Sequence, residues 1–145
     1  MFQHLLVVCT GNICRSPVAE AMLKVTFPER HVVSAGLGAL VGQGVEPTAR
    51  KLAEADGLQV EAHQARQITH EMIHDADLIL VMSEGQRRSL GDLSPSALGK
   101  IMLIGHWLDG GKGVEIPDPY RKSDEAFEHV HRLLKEATQT WWERL

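Results

Sequence analysis

The chain has 145 residues, of which 43% are hydrophobic and 23% charged, with 13 Gly and 6 Pro and neither a repeat nor a low-complexity stretch. Such proportions exclude a disordered or fibrous chain, and the length fits one domain, residues 1–145, with no room for a second. A net charge of −4 excludes a general nucleic-acid binder, which needs a basic face.

No run approaches the ~18 apolar residues of a membrane span, and Met1-Phe2-Gln3-His4-Leu5 carries no basic leader. No membrane insertion and a cytoplasmic location are therefore expected. Cys9 and Cys14 are the only cysteines and stand too close together for a disulfide framework, which also suits a reducing compartment.

Taken in chain order, Phe2 to Val8 is a nearly continuous apolar run of strand length, as for a strand buried on both faces of a parallel sheet. Pro17 to about Phe27 has Val18, Ala21, Met22 and Val25 at helical spacing. His31 to Ala35 reads as a second strand, and Gly36, Gly38, Gly42 and Gly44 mark a loop in which Leu40 and Val41 are exposed. Pro47 opens a second helix that Gly57 closes. Leu58 to Ile68 gives no clear pattern. Thr69 to Asp75 predicts a short helix, Asp77 to Met82 a buried strand, and Ser83 with Gln86 a capping box for a helix from Glu84 to about Leu90, before Gly91. Lys100 to Ile104 is a fourth strand and Gly105 to Ile116 a loop. Ser123 caps a last helix with the stripe Phe127, Val130, Leu134, Ala137, Trp141 and Leu145. Strands alternating with helices predict an α/β fold, a parallel sheet with helices on both faces.

The chemistry concentrates at Cys9-Thr10-Gly11-Asn12-Ile13-Cys14-Arg15-Ser16-Pro17, where the first strand gives way to the first helix. The first βα turn lies at the carboxyl end of the sheet, the end that binds ligands. Backbone N–H groups of Thr10 to Arg15 can curl into a concave nest, with the positive end of the helix dipole aimed at the same point. Arg15 adds a planar guanidinium that can grip two phosphate oxygens. The same positive field favours a thiolate at Cys9, and a thiolate beside a bound phosphate is a phosphatase nucleophile.

A general acid is needed opposite the nucleophile to protonate the leaving oxygen. Ile116-Pro117-Asp118-Pro119-Tyr120 is the best candidate, because two prolines stiffen the backbone around one carboxylate. Alone, Pro-Asp-Pro is more often a rigid turn, and a lone Cys at a strand end is more often a small core residue.

Together, the Cys9 to Pro17 string and Asp118-Pro119-Tyr120 resemble the signature of the low-molecular-weight protein tyrosine phosphatases, and the resemblance extends over essentially the whole chain. It implies a flavodoxin-like four-stranded parallel sheet of order 2-1-3-4. It also implies hydrolysis of phosphotyrosine through a phosphocysteine intermediate, with Cys9, Arg15 and Asp118 catalytic and Thr10 to Ser16 forming the phosphate-binding loop. Ser16 would hydrogen-bond the Cys9 sulfur, and Asn12 would brace the loop through Ser34 and His63. Cys14 would pair with Cys9 in a protective, reversible disulfide under oxidation.

Ile13, Leu40 and Tyr120 would wall the substrate pocket. Ile13 is similar to the tyrosine-specific members, where relatives acting on phosphoarginine carry Thr. Leu40, Arg121 after Tyr120, and Gly105-His106-Trp107 resemble the Gram-negative bacterial branch. In that branch the partner is a membrane-associated tyrosine autokinase with a Tyr-rich tail, controlling capsule or exopolysaccharide export. The resemblance implies no cofactor and no metal, and a monomer is expected.

Two other readings use the same loop. A thioredoxin-coupled arsenate reductase needs further resolving cysteines, and none follows Cys14. A non-catalytic phosphotyrosine-binding module would not need Cys9 and Asp118 together. His129 and His131 fall on different faces of the last helix, which argues against a metal site and for solvated side chains, and Arg87-Arg88 reads as a solvated helix face. Trp141-Trp142 should split between core and surface.

Overall fold

Four short strands hydrogen-bond side by side and all run parallel. A computed structural model describes residues 2–145. The strands are β1 (His4–Cys9), β2 (His31–Gly36), β3 (Leu78–Val81) and β4 (Ile101–Leu103), in the order β2-β1-β3-β4. This is the order implied by the family resemblance. Between them run helices α1 (Arg15–Thr26), α2 (Pro47–Ala55), α3 (His70–Asp75) and α4 (Glu84–Leu93), and α5 (Asp124–Gln139) closes the fold.

β1 is central because it is apolar throughout its buried length. Leu6 lies opposite Val33 on one side and Ile79 on the other, and Val8 opposite Ala35 and Val81. Alternation sends its residues to two separate cores. Leu5, Val7 and Cys9 face α1, α2 and α5, packing with Val18, Met22, Ala53, Phe127, Leu134 and Trp141. Leu6 and Val8 face α3 and α4, packing with Ile73, Leu90 and Ile101. Each of these Leu and Val side chains contributes about 1.5–3 kcal/mol by leaving water, so a charge at Leu6 or Val7 would unfold the sheet.

Several boundaries differ from the sequence expectation, each for a physical reason. α1 begins at Arg15, so Pro17 is its third residue, still in the turn where a missing N–H costs nothing. α4 runs through Gly91 to Leu93, because the bare Cα there accepts the Leu98 side chain, whose Cδ1 would lie 2.9 Å from an added Cβ. A 3₁₀ helix, Pro95–Lys100, follows and has no counterpart in the apolar pattern. The unpatterned stretch Leu58 to Ile68 buries Val60, Ala65 and Ile68 and pairs with the sheet edge at a Gly36–Gln67 bridge. Arg87 is not merely solvated, since its Nε donates to the Ile101 carbonyl at 2.9 Å. His131 is not solvated either: its Nε2 lies 2.6 Å from Asp56 Oδ2 and ties α5 to the end of α2. Trp141 is buried and Trp142 is 63% exposed, the split expected of the pair.

Candidate functional site

At the carboxyl end of β1 the chain turns through residues 10–14 into α1. Five successive carbonyls there are fastened outwards. Cys9 O accepts from Leu37 N, Thr10 O from Gly38 N and Gly11 O from Leu40 N, each at 3.0 Å, and Ile13 O accepts from Glu46 N at 2.8 Å. Asn12 O is held by His63 Nε2 at 2.7 Å. A trans peptide points its N–H opposite to its C=O, so the amides of residues 10–14 are directed to the inside of the loop. Among the described residues, the N–H groups of Gly11, Asn12, Ile13 and Cys14 donate to no protein acceptor.

The helix that follows is left open at the same end. α2, α3, α4 and α5 each have a side-chain cap, from Glu46, Thr69, Ser83 and Ser123. α1 has Cys14 at its N-cap position with no capping hydrogen bond, and no acid in its first turn. Its orphan N–H groups and dipole therefore add to the loop amides as an anion cradle.

Cys9 lies at the floor, its Sγ 2.9 Å from Ser16 Oγ. Asn12 is fully buried and adopts φ 58°, a left-handed conformation that Asn tolerates better than most residues. Its Nδ2 donates to Ser16 Oγ at 2.7 Å and to Ser34 Oγ at 3.0 Å, and its Oδ1 accepts from Arg66 N at 3.0 Å. Ser34 in turn donates to Glu20 Oε1 at 2.6 Å, and Lys24 donates to the other oxygen of that carboxylate at 2.7 Å. Because Ser16 and Ser34 both accept from Asn12, each has its own proton to give away: Ser16 towards Cys9, Ser34 towards Glu20.

Arg15 links the loop to the opposite wall. Its Nη1 donates to Ile116 O at 2.8 Å, and its Nη2 is 3.7 Å from Asp118 Oδ2. The Arg15 side chain is 6% exposed and that of Asp118 50%, so the cation is fixed while the carboxylate stands at the mouth. Asp118 Oδ1 accepts from Tyr120 N at 3.0 Å, and Ile116 N donates to Met82 O at 2.8 Å, anchoring this segment to the end of β3. Cys9, Thr10, Gly11, Ile13, Cys14, Arg15, Gly38, Leu40, Asp118 and Tyr120 line a cleft open to solvent. Burial, and after it the charges of Cys9, Glu46 and Asp118, push the Cys14 thiol up to about 12, against the opposing pull of Arg15.

The site residues singled out in the sequence therefore meet here, with Asn12, Ser16, Ser34 and His63 behind the cleft lining. Others gave no signal. Glu20 and Arg66 look like ordinary surface residues, and Gln86 reads as half of a capping box. Its backbone N–H does bond Ser83 Oγ, at 3.2 Å, but its side chain turns away: Oε1 accepts from Met82 N at 2.8 Å and Nε2 donates to Thr10 Oγ1 at 3.3 Å. Glu46 was legible in principle, since a polar side chain just before a Pro at the first helical position is a capping pattern.

A thiol under an open helix N-terminus, with an arginine and a carboxylate facing each other across the mouth, defines a phosphate-type anion site of the cysteine-dependent class on a parallel α/β sheet. The family model described as "Low molecular weight phosphotyrosine protein phosphatase" matches residues 4–145, and the chain belongs to that family. It is 50% identical over 145 residues to the low molecular weight protein-tyrosine-phosphatase Wzb of Salmonella typhimurium, covering 100% of this chain and 95% of the relative. The crystal structure of the Erwinia amylovora tyrosine phosphatase AmsI superposes with a TM-score of 0.95 at 46% identity, covering 100% of this chain and 94% of the other. Vibrio vulnificus Wzb in complex with benzylphosphonate gives a TM-score of 0.94 at 43% identity, covering all of both chains.

Proposed function

We propose that this protein hydrolyses phosphotyrosine on protein substrates through a phosphocysteine intermediate. The observation that carries the reading is the outward fastening of five loop carbonyls under the one α-helix, among the described residues, that lacks a side-chain cap. A dianionic phosphoryl group completes that cap and sits against Cys9. The likeness to a Wzb that binds benzylphosphonate, a non-hydrolysable aryl-methyl phosphonate, supports the same occupant.

The Cys9 thiolate attacks phosphorus in line, the bond from phosphorus to the phenolic oxygen breaks, and Asp118 gives its proton to that oxygen. Water then attacks the phosphocysteine while Asp118 takes a proton from it, releasing inorganic phosphate and the thiolate. Arg15 and the inward amides hold the equatorial oxygens through both steps, and Ser16 stabilises the sulfur as it leaves. Ile13, Leu40 and Tyr120 wall the aryl ring. No step draws on a metal.

By family resemblance, the physiological substrate is a membrane-associated bacterial tyrosine autokinase with a Tyr-rich tail, in a system exporting capsule or exopolysaccharide. The enzyme is then a cytoplasmic monomer by the same resemblance; no helix among the described residues is long and apolar enough to cross a membrane.

The test is hydrolysis of p-nitrophenyl phosphate and a phosphotyrosine peptide in EDTA. Turnover is expected in the parent enzyme and lost in Cys9→Ser, which still binds phosphate. Full activity in Cys9→Ser overturns the mechanism.

A further inference from the structure

Among the described residues, three that are not glycine have left-handed backbone: Asn12, Asp109 and Arg121, the last at φ 63°. Asn and Asp visit that region readily because their short side chains bond locally. Arg has no such side-chain compensation, and its conformation is held by a turn in which Lys122 N donates to Pro119 O at 2.9 Å. It turns the guanidinium back over the preceding residue, with Cζ 5.2 Å from the centroid of the Tyr120 ring. Tyr120 walls the cleft and Arg121 does not, so the cation covers the outer side of the ring, at the rim of the site.

Among the described residues, two other arginines stack on aromatic rings, and both are fastened elsewhere. Arg30, 5.0 Å from the Phe27 ring, donates to the carbonyls of Phe2 and Leu145. Arg144, over Trp107, bonds the Thr140 carbonyl. These are clips within the fold. Among the described residues, Arg121 has no carboxylate within 4.0 Å and donates no hydrogen bond, and the same holds for the side chain of its exposed neighbour Lys122. A strained backbone thus holds an arginine at the rim with its five N–H donors uncommitted, in a chain whose net charge is −4.

We infer that Arg121 is a specificity-determining residue: docked on Tyr120, it selects phosphotyrosines flanked by acidic residues. This rests on the reading that the cleft takes phosphotyrosine. With the phosphoryl group in the cradle and the ring against Tyr120, the neighbouring residues of the peptide lie along the rim, where a carboxylate can take the forked guanidinium. Stacking limits the freedom of the Arg121 side chain and lowers the cost of ordering it on binding.

The experiment compares kcat/KM for two phosphotyrosine peptides, one with Glu and Asp beside the phosphotyrosine and one with Gln and Asn in their place, using the parent enzyme, Arg121→Gln, Arg121→Lys and Arg121→Gly. The parent should favour the acidic peptide by about two- to fivefold, the range of an exposed charge pair, through KM. That preference should fade towards 1 M salt, where screening acts within about 3 Å. It should vanish in Arg121→Gln and persist in part in Arg121→Lys. Arg121→Gly relieves the backbone conformation, so it should be at least as stable as the parent and still lose the preference, which separates lost charge from a damaged fold. A parent that treats both peptides alike, or an Arg121→Gln enzyme that keeps the preference, overturns the inference while leaving the phosphatase reading intact. Failure of the parent to cleave either peptide or p-nitrophenyl phosphate overturns both.

Discussion

Asn12 Nδ2 lies 2.7 Å from Ser16 Oγ, and this contact leaves the Ser16 proton free to point at Cys9. An amide nitrogen can only donate, so Ser16 accepts from it and must turn its own proton elsewhere; Cys9 Sγ, at 2.9 Å, is the partner in reach. Once the sulfur is a thiolate it has no proton to give, so the bond reaching it runs O–H to S, the sense that supports the thiolate both before attack and on release of phosphate.

Replacing Asn12 should separate folding from chemistry. Asn12→Ala removes two donors and one acceptor from a fully buried site and leaves a left-handed backbone without the side chain that tolerates it. A loss of about 2–4 kcal/mol in urea unfolding is expected, with a fall in kcat. Asn12→Gly relieves the backbone term alone, so it should regain part of the stability and little of the kcat. Equal recovery of both would mean that the conformation matters and the hydrogen bonds do not.

The carboxylate at the mouth should reveal its role through the leaving group. Asp118→Asn keeps the shape of the side chain and removes its proton. kcat for a phosphotyrosine peptide should fall by about 10²- to 10⁴-fold, and much less for p-nitrophenyl phosphate, whose phenolate leaves without help. Equal losses would show that Asp118 does not act as the acid.

Gly36 and Gly38 flank the cradle under different constraints. A Cβ on Gly36 would stand 2.5 Å from Thr10 O and 3.1 Å from Ala39 Cα, whereas one on Gly38 meets nothing within 4 Å. Gly36→Ala must push the Thr10 carbonyl inward, and with it the amides of the loop. About 2 kcal/mol of stability and about 10- to 100-fold in kcat should be lost together. Gly38→Ala should melt within a degree or two of the parent; a similar melting temperature for Gly36→Ala would contradict the close approach.

The sheet was legible because β1 from Leu5 onward and all of β3 are apolar and each crossover contains a helix with its own punctuation. The site was legible as a set of residues, since Cys9, Arg15 and Asp118 sit in short strings whose residue types have few other uses together. What holds those residues lay outside the pattern. Backbone partners such as Leu37 N–H, Gly38 N–H and Ile116 O have no identity in a sequence. Arg66 serves the loop through its own N–H as well as its guanidinium, and Gln86 matched a capping box while its amide reached across to Thr10. The 3₁₀ helix was hidden because its contacts, such as Leu98 on Gly91, are non-periodic.

Cys14 supplies a test that reads the electrostatics of the site through stability. Its thiol is pushed from 9.0 to about 12 by burial first and then by the charges of Cys9, Glu46 and Asp118. The folded state therefore keeps a proton that the unfolded chain releases near pH 9. Where the unfolded state binds fewer protons, stability falls as pH rises. The contribution of Cys14 is thus fully present below about pH 9 and lost progressively between about pH 9 and 12, at about 1.4 kcal/mol per pH unit. The measurement is the difference between the parent and Cys14→Ala in urea unfolding at pH 8, 9.5 and 10.5, in which pH effects common to both proteins cancel. That difference should be constant up to about pH 9 and then shrink as the advantage of the protonated thiol disappears. Parallel pH profiles for the two proteins would mean that the Cys14 thiol ionises as easily in the fold as in the unfolded chain, and that burial at the helix start does not hold its proton.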